Sequence, residues 1–272
     1  LRIFSGACQG NPHKGTLMRL DQYLVGRGFT SRTKAARAVA EGKVLLNGKP
    51  AKASDSVDEN DRVEIAEVER GFVSEGGYKL QKALDDFHAD VRGKVFADLG
   101  ASTGGFTDCL LQAGAAHVFA IDVGCAQLDA SLASDPRVCA MDKINVRYLR
   151  REDIPAERLD GVTADLSFIS LTYILPIVAS ILPQNGDAFL LIKPQFECGG
   201  VGLDKHGILK DKNKRLSIVL ELAQFSAQVG LRPVNVTAAP VKPRKNVEYI
   251  LHCIKAEGDM SDAFQTRIAA LD

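Results

Sequence analysis

The chain has 272 residues, 46% of them hydrophobic, and a formal net charge of zero. That length and apolar content suit a sizeable core and more than one average domain, and the neutral total excludes an overall electrostatic pull toward nucleic acid or membrane. Six scattered cysteines, with no Cys-x-x-Cys pair and no histidine cluster, exclude a disulfide framework or a zinc site and fit a reducing compartment, and no apolar run approaches the ~20 residues that span a bilayer.

Residues 1–17 lack an apolar core and are expected to form an extension without fixed structure. Residues 18–67 then read as a compact α+β domain. Arg19-Leu-Asp-Gln-Tyr-Leu-Val has helical apolar spacing, and Ser31 is placed to cap a second helix that Gly42 closes. Val44-Leu-Leu reads as a strand, Asn47-Gly48 as a hairpin turn and Arg62-Val-Glu-Ile as a later strand. Between Arg19 and Lys52 eight basic residues face only Asp21 and Glu41, a net of +6. Arg19, Arg32, Lys34, Arg37 and Lys43 form its centre, and a basic face of this kind attracts phosphates. A solvated helix face is the alternative reading. Composition turns acidic after residue 53, and residues 68–76 are expected to be a linker.

From residue 77 onward the pattern is α/β. An amphipathic helix starts at Tyr78-Lys-Leu. Strands are expected at Val95–Leu99, His117–Ile121, Val138–Met141, Gly161–Leu166, Ala188–Lys193, Pro233–Ala238 and Val247–Ile254, with helices near 105–113, 127–133, 171–182 and 212–229. Repeated β-α units imply a mostly parallel, seven-stranded, Rossmann-like sheet covered on both faces. The last two strands lie too close for a crossover helix and should form an antiparallel hairpin.

The first strand ends in Asp98 and runs at once into a loop with Gly100, Ser102, Thr103, Gly104, Gly105 and Phe106. Strand, glycine turn and helix start are the signature of a nucleotide-type cofactor site. A dinucleotide is one candidate. A carboxylate directly before the loop would repel a pyrophosphate but suits the ammonium of S-adenosylmethionine. Asp122 ends the second strand, where it can accept from ribose hydroxyls, and Asp142 ends the third, where it can accept from the adenine amine. Three acids at successive strand ends on one sheet edge favour the methyl donor.

Asp165-Leu-Ser-Phe follows the fourth strand, where base-amine methyltransferases usually carry Asn/Asp-Pro-Pro-aromatic. Cys198 is the best candidate for a cytosine C5 nucleophile but lacks supporting context. Lys79, Asp165, Lys193 and Glu248 are better placed. The antiparallel last strand starts at the edge where the others end, so all four can converge beside the cofactor. A ribose hydroxyl is a poor nucleophile and needs a base, which a lysine among positive charge and away from water can supply.

Residues 19–65, with Arg-Leu-Asp-x-x-Leu, Ser-Arg-Thr-x-Ala, Gly-x-Val-x-x-Asn-Gly and Asp-x-Val-x-Ile, resemble the S4-like RNA-binding module. Asp-Leu-Gly-Ala-Ser-Thr-Gly-Gly-Phe resembles the loop of FtsJ-like class I methyltransferases, and the four polar residues resemble their Lys-Asp-Lys-Glu tetrad. With Gly-Gly-Tyr-Lys-Leu, Lys-Pro-Gln-Phe-Glu and Asn-Val-Glu-Tyr added, residues 18–254 resemble the TlyA-type family, often labelled hemolysin. The resemblance implies S-adenosylmethionine-dependent 2′-O-methylation of cytidine in ribosomal RNA by a cytoplasmic protein acting on ribosomal subunits. It implies Lys193 as activating base, Lys79 as the neighbouring charge, and Asp165 and Glu248 as orienting groups. Nothing in the sequence points to an obligate protein partner, a metal or a membrane segment. A membrane-active hemolysin, or an RNA-binding assembly factor with an inactive methyltransferase fold, are the rival functions. Two departures stand out: Glu75 replaces a common Arg, and Asp142 a common Glu. Residues 199–210 are expected to be a mobile loop whose Lys205, His206 and Lys210 can reach RNA, with an ordinary surface loop as the alternative reading.

Overall fold

The computed structural model describes residues 2–5, 17–29, 31–58, 60–65 and 71–271. They fall into two compact units, Leu1–Gly71 and Phe72–Asp272.

The first unit contains β1 (Arg2–Ser5), β2 (Met18–Arg19), α1 (Leu20–Tyr23), α2 (Arg32–Ala40), β3 (Val44–Leu46), β4 (Lys49–Pro50), β5 (Ser56–Val57) and β6 (Arg62–Ile65). Ser31 caps α2 by accepting from the Lys34 amide at 3.3 Å. Asn47 and Gly48, at φ 52° and 75°, turn β3 into β4 with the positive φ pair that a tight hairpin requires. Leu20, Leu24, Ala35, Val39, Val44 and Val63 are buried together. β1 corrects the sequence reading. These four residues, expected in an unstructured extension, pair antiparallel with β6 in the register Arg2↔Ile65 to Ser5↔Arg62. Residues 6–16 of that extension lie outside the described residues, as do residues 66–70, which include the first part of the expected linker.

The second unit runs α3 (Glu75–Phe87), β7 (Val95–Leu99), α4 (Gly105–Gln112), β8 (His117–Ile121), α5 (Ala130–Ala133), β9 (Val138–Met141), β10 (Gly161–Ala164), α6 (Leu175–Ile181), β11 (Asp187–Ile192), α7 (Pro194–Glu197), α8 (Lys212–Gln228), β12 (Leu231–Ala238), β13 (Tyr249–Lys255) and α9 (Asp262–Ala269). Residues 72–76, expected in the linker, belong here: Phe72 and Val73 pack against the core, the Val73 amide donates to Asp108 at 2.9 Å, and α3 already begins at Glu75.

The seven strands lie in the order β12-β13-β11-β10-β7-β8-β9. β9, β8, β7, β10 and β11 are parallel, and β13 runs antiparallel to both β11 and β12. Alternate strand residues feed two cores, as period-two geometry demands. Phe96, Phe189 and Leu191 pack with Leu80, Leu84 and Leu110 of α3 and α4. Ala97, Leu99, Leu190 and Ile192 pack with Val178 of α6 and Ile218 and Leu222 of α8 on the other side. From β7 the chain builds outward to β8 and β9, then returns to β10 and β11 on the other flank. The order therefore reverses between β7 and β10, the switch point where open α/β sheets hold ligands.

Several elements are shorter than their sequence patterns. Only Ala130–Ala133 of the expected 127–133 helix is helical, because Asp129 caps it by accepting from the Ser131 amide. The expected 171–182 helix is a 3-10 turn at Leu171–Tyr173 followed by α6, with Pro176 in the first turn of α6. Among the described residues no helix is long and apolar enough to cross a membrane, and no His, Cys, Asp and Glu cluster is arranged to hold a metal.

Candidate active site

The loop after β7 is bent by backbone that only glycine tolerates easily. Gly100 has φ +78°, and a Cβ there would lie 2.7 Å from Leu166 Cδ2 and 3.0 Å from the Asp165 carbonyl oxygen. At Gly105 a Cβ would meet Ser74 Oγ at 2.2 Å and the Gly77 nitrogen at 2.9 Å, so glycine lets the starts of α3 and α4 approach each other. A cavity of about 180 Å³ opens between these helix starts and the strand ends. Asp98, Gly100, Ser102, Thr103, Gly105 and Phe106 line it, together with Ser74, Gly76, Ala101, Asp165, Ser167 and Lys193. Gly104, at φ +94°, is the N-cap of α4 and lies outside the lining.

Asp98 is fully buried. Its carboxylate accepts from Thr107 Oγ1 at 2.7 Å and Thr163 Oγ1 at 2.8 Å. Burial pushes its pKa up to about 6 despite these hydrogen bonds, and Asp165 adds to the rise. A buried carboxylate held this way gains from a cationic partner. The starts of α3 and α4 offer the positive ends of two helix dipoles to the same cavity. Ammonium at one side and carboxylate at the other are the ends of an amino acid, so the lining fits the methionine part of S-adenosylmethionine.

Asp122 and Asp142 stand at the ends of adjacent strands but outside the cavity lining. Asp122 accepts from the Ser102 amide at 2.9 Å and the Gly124 amide at 2.7 Å. Asp142 accepts from the Ala126 amide at 2.9 Å. Both tie loops in place while keeping oxygen lone pairs for a further donor.

The four tetrad residues come together as two pairs. Lys193, 8% exposed, has Nζ 2.6 Å from Asp165 Oδ1 and donates to Ser167 Oγ at 2.8 Å. The contact with Asp165 is ionic, since Oδ1 makes no aligned hydrogen bond. Lys79 donates to Glu248 Oε2 at 2.6 Å. Gln195, two residues beyond Lys193 in the chain, donates to Glu248 Oε1 at 3.3 Å. Gly76 of α3 also faces Asp165, with a Cβ position 3.5 Å from Oδ2. Cys198 is buried, donates to the Gln195 carbonyl at 3.6 Å and does not line the cavity.

Ser74, Gly76 and Ser167 line the cavity and Gln195 donates to Glu248, four placements that the sequence reading does not include. The Gly76-Gly77 doublet and the serine of Asp-Leu-Ser-Phe were the available signals. Phe168, 89% exposed at φ +63°, also escaped notice; its ring lies 4.9 Å from that of Phe196. Glu75 pairs with Lys242, which holds its carboxyl below the usual range. In the 199–210 loop Asp204 accepts from the His206 and Ile208 amides and pairs with Lys210 at 3.0 Å, leaving Lys205 and His206 exposed.

In the first unit, four of the five basic candidates share two acids. Arg19 and Arg32 both reach Asp21, at 3.2 and 3.1 Å, and hold its pKa down at about 2, with Arg19 the stronger influence. Arg37 and Lys43 both reach Glu41, at 2.8 and 2.7 Å. Lys34 is exposed on α2. The pairs fix the guanidinium positions, and each acid offsets only one of its two cations.

Residues 72–256 match the model of the FtsJ-like methyltransferase family, and residues 18–63 that of the S4 domain. The 16S/23S rRNA (cytidine-2′-O)-methyltransferase TlyA of Mycobacterium tuberculosis is 43% identical over 237 residues, 86% of this chain and 88% of its own length. Hemolysin A of Brachyspira hyodysenteriae is 38% identical over 240 residues, 87% of this chain and 100% of its own. A solved structure from Streptococcus thermophilus that carries a hemolysin name is 32% identical with a TM-score of 0.70, covering 93% of this chain and 95% of that one.

Proposed function

Because the chain belongs to the TlyA-type family of FtsJ-like methyltransferases joined to an S4 domain, we propose that it methylates the ribose 2′-hydroxyl of cytidine in ribosomal RNA with S-adenosylmethionine as donor. The observation that carries this reading is the ion pair of buried Lys193 with half-buried Asp165, lining the same cavity as Asp98 and the glycine loop. A base and a cofactor cradle share one space, and a thiol nucleophile does not line it.

S-adenosylmethionine, when bound, supplies an electrophilic methyl on a cationic sulfur. Asp98 would hold its ammonium, and the starts of α3 and α4 its carboxylate. Asp122 and Asp142 offer acceptors toward the adenosine end. Asp165 and Ser167 would hold Lys193 Nζ beside the reacting hydroxyl, where the lysine, as the neutral amine, would accept the 2′-hydroxyl proton while the bound donor supplies the methyl group. Lys79 and Glu248 form a second charge pair outside the cavity lining and would orient the incoming ribose. Most of the acceleration then comes from positioning and fixed charge rather than protein covalent chemistry. Arg19, Arg32, Lys34, Arg37 and Lys43 would supply the phosphate contacts by which an S4 domain docks structured RNA.

The test is Lys193→Ala. It is expected to fold, to bind S-adenosylmethionine in a calorimeter, and to lose methyl transfer by ~100-fold or more, the scale of a positioned general base. Full activity in the variant overturns the assignment.

A further inference from the structure

We propose that Glu197 is a positioning residue for methyl transfer: its carboxylate bolts the loop that carries Asp165 and Ser167 to the turn that follows Lys193, and so aligns the Ser167–Lys193 hydrogen bond. The inference rests on the ribose-methyltransferase reading above. Glu197 does not line the cavity, so it acts through its contacts rather than on a substrate.

β10 and β11 pair in parallel as far as Ala164 and Leu190. The residues assigned to proton transfer come just after the strands: Asp165 and Ser167 on the loop beyond β10, Lys193 directly beyond β11. Among the described residues, no backbone hydrogen bond joins residues 165–171 to residues 193–198. Side chains carry the connection instead. Lys193 reaches Asp165 and Ser167, and the rings of Phe168 and Phe196 lie 4.9 Å apart. Glu197 adds two directional bonds: Oε1 accepts from the Leu171 amide at 2.9 Å and Oε2 from Ser170 Oγ at 2.6 Å.

Both ends of this clamp are stiff. Lys193 is the N-cap of α7, Pro194 opens that single turn with a fixed φ, and the Phe196 amide donates back to the Lys193 carbonyl at 2.8 Å. On the other side Ser170 caps the 3-10 turn Leu171–Tyr173 by accepting from the Thr172 amide at 3.1 Å. Between that turn and Ser167 the chain passes through Phe168 at φ +63°, a left-handed bend that disfavours a residue with a side chain. Such a bend persists where its surroundings hold it. Here Ser167 is tied to Lys193 on one side of the bend, and Ser170 and Leu171 to Glu197 on the other. Release at Glu197 lets the bend relax and turns Ser167 away from the lysine. Partial burial raises the pKa of Glu197, although both hydrogen bonds favour its ionised form.

The experiment is a double-mutant cycle on the full chain, read as single-turnover methyl transfer to ribosomal subunits at saturating S-adenosylmethionine. Glu197→Ala should slow transfer by ~3- to 30-fold, the scale of losing the Ser167 hydrogen bond itself. The subunit concentration for half-maximal rate and calorimetric binding of S-adenosylhomocysteine should stay at wild-type values. In a Ser167→Ala background the same change should cost less than about twofold, because the alignment it serves is already lost. Glu197→Gln, which keeps an acceptor for the Leu171 amide, should lie between Glu197→Ala and wild type, and it takes the place of Glu197→Ala in the cycle if that variant does not fold. An equal slowing in both backgrounds overturns the inference, since a general loss of structure does not depend on Ser167. So does a wild-type rate in both Glu197 variants, or a loss confined to subunit or cofactor binding. A wild type that binds S-adenosylhomocysteine but leaves ribose unmethylated overturns the ribose-methyltransferase reading, and the inference with it.

Discussion

Asp98 and Thr107 lie nine residues apart on either side of the glycine loop, and the Thr107 hydroxyl donates to Asp98 Oδ2 at 2.7 Å. This bond closes the loop against the end of its own strand. It holds a buried carboxylate where a cationic ligand group would make it favourable.

The raised pKa of Asp98, about 6 against an ordinary 3.8, fixes a pH dependence. Between these values the native carboxyl keeps its proton while the unfolded one has lost it. Stability of the ligand-free protein therefore falls as pH rises from roughly 4 to 6, by about 3 kcal/mol. Asp98→Asn should be more stable than the wild type at pH 7 and no more stable at pH 4 in urea unfolding. Cofactor affinity of the wild type should drop up to about tenfold per pH unit below pH 6, as protonation removes the carboxylate; calorimetry across pH 5 to 8 measures it.

Ser167 donates no charge to the site but receives the Lys193 hydrogen bond at 2.8 Å. Ser167→Ala should lower the transfer rate at saturating substrates by about 3- to 30-fold, the loss of one orienting hydrogen bond to a charged group. A rate equal to wild type would show that Asp165 alone positions the lysine.

Gly100→Ala places a methyl 2.7 Å from Leu166 Cδ2 at a residue with φ +78°. The left-handed backbone and the crowding together should cost about 1–3 kcal/mol of stability. Because Gly100 lines the cavity, S-adenosylhomocysteine binding should weaken as well. Urea denaturation and calorimetry on the same sample check both effects.

In the first unit, Arg32→Ala removes one of two guanidiniums held by Asp21. RNA binding should weaken by a similar factor for different sequences. The slope of log affinity against log salt should become shallower by about 1 for each phosphate that the variant no longer neutralises. Unchanged affinity and slope would place that guanidinium away from the RNA.

What could be read in the sequence was what is local in the chain. The glycine loop announces itself because the strand, the positive-φ glycines and the helix start are contiguous. Asp122 and Asp142 were legible as strand-end acids; that their oxygens also hold the Ser102, Gly124 and Ala126 amides was not. The pairing of Lys79 with Glu248 across 169 residues has no local signature. Only the antiparallel last strand hints that Glu248 reaches the same edge. Ser167 and Gln195 are ordinary polar residues until the fold brings Ser167 to Lys193 and Gln195 to Glu248. β1 escaped for the same reason, being four residues whose partner strand lies some 60 residues on.

The most direct measurement is to supply ribosomal subunits with the protein and methyl-labelled S-adenosylmethionine, then digest the RNA to nucleosides. Label is expected in 2′-O-methylcytidine with wild-type protein and is expected to be lost with Lys193→Ala. Label on a base atom, or label persisting at the wild-type rate in Lys193→Ala, would contradict it.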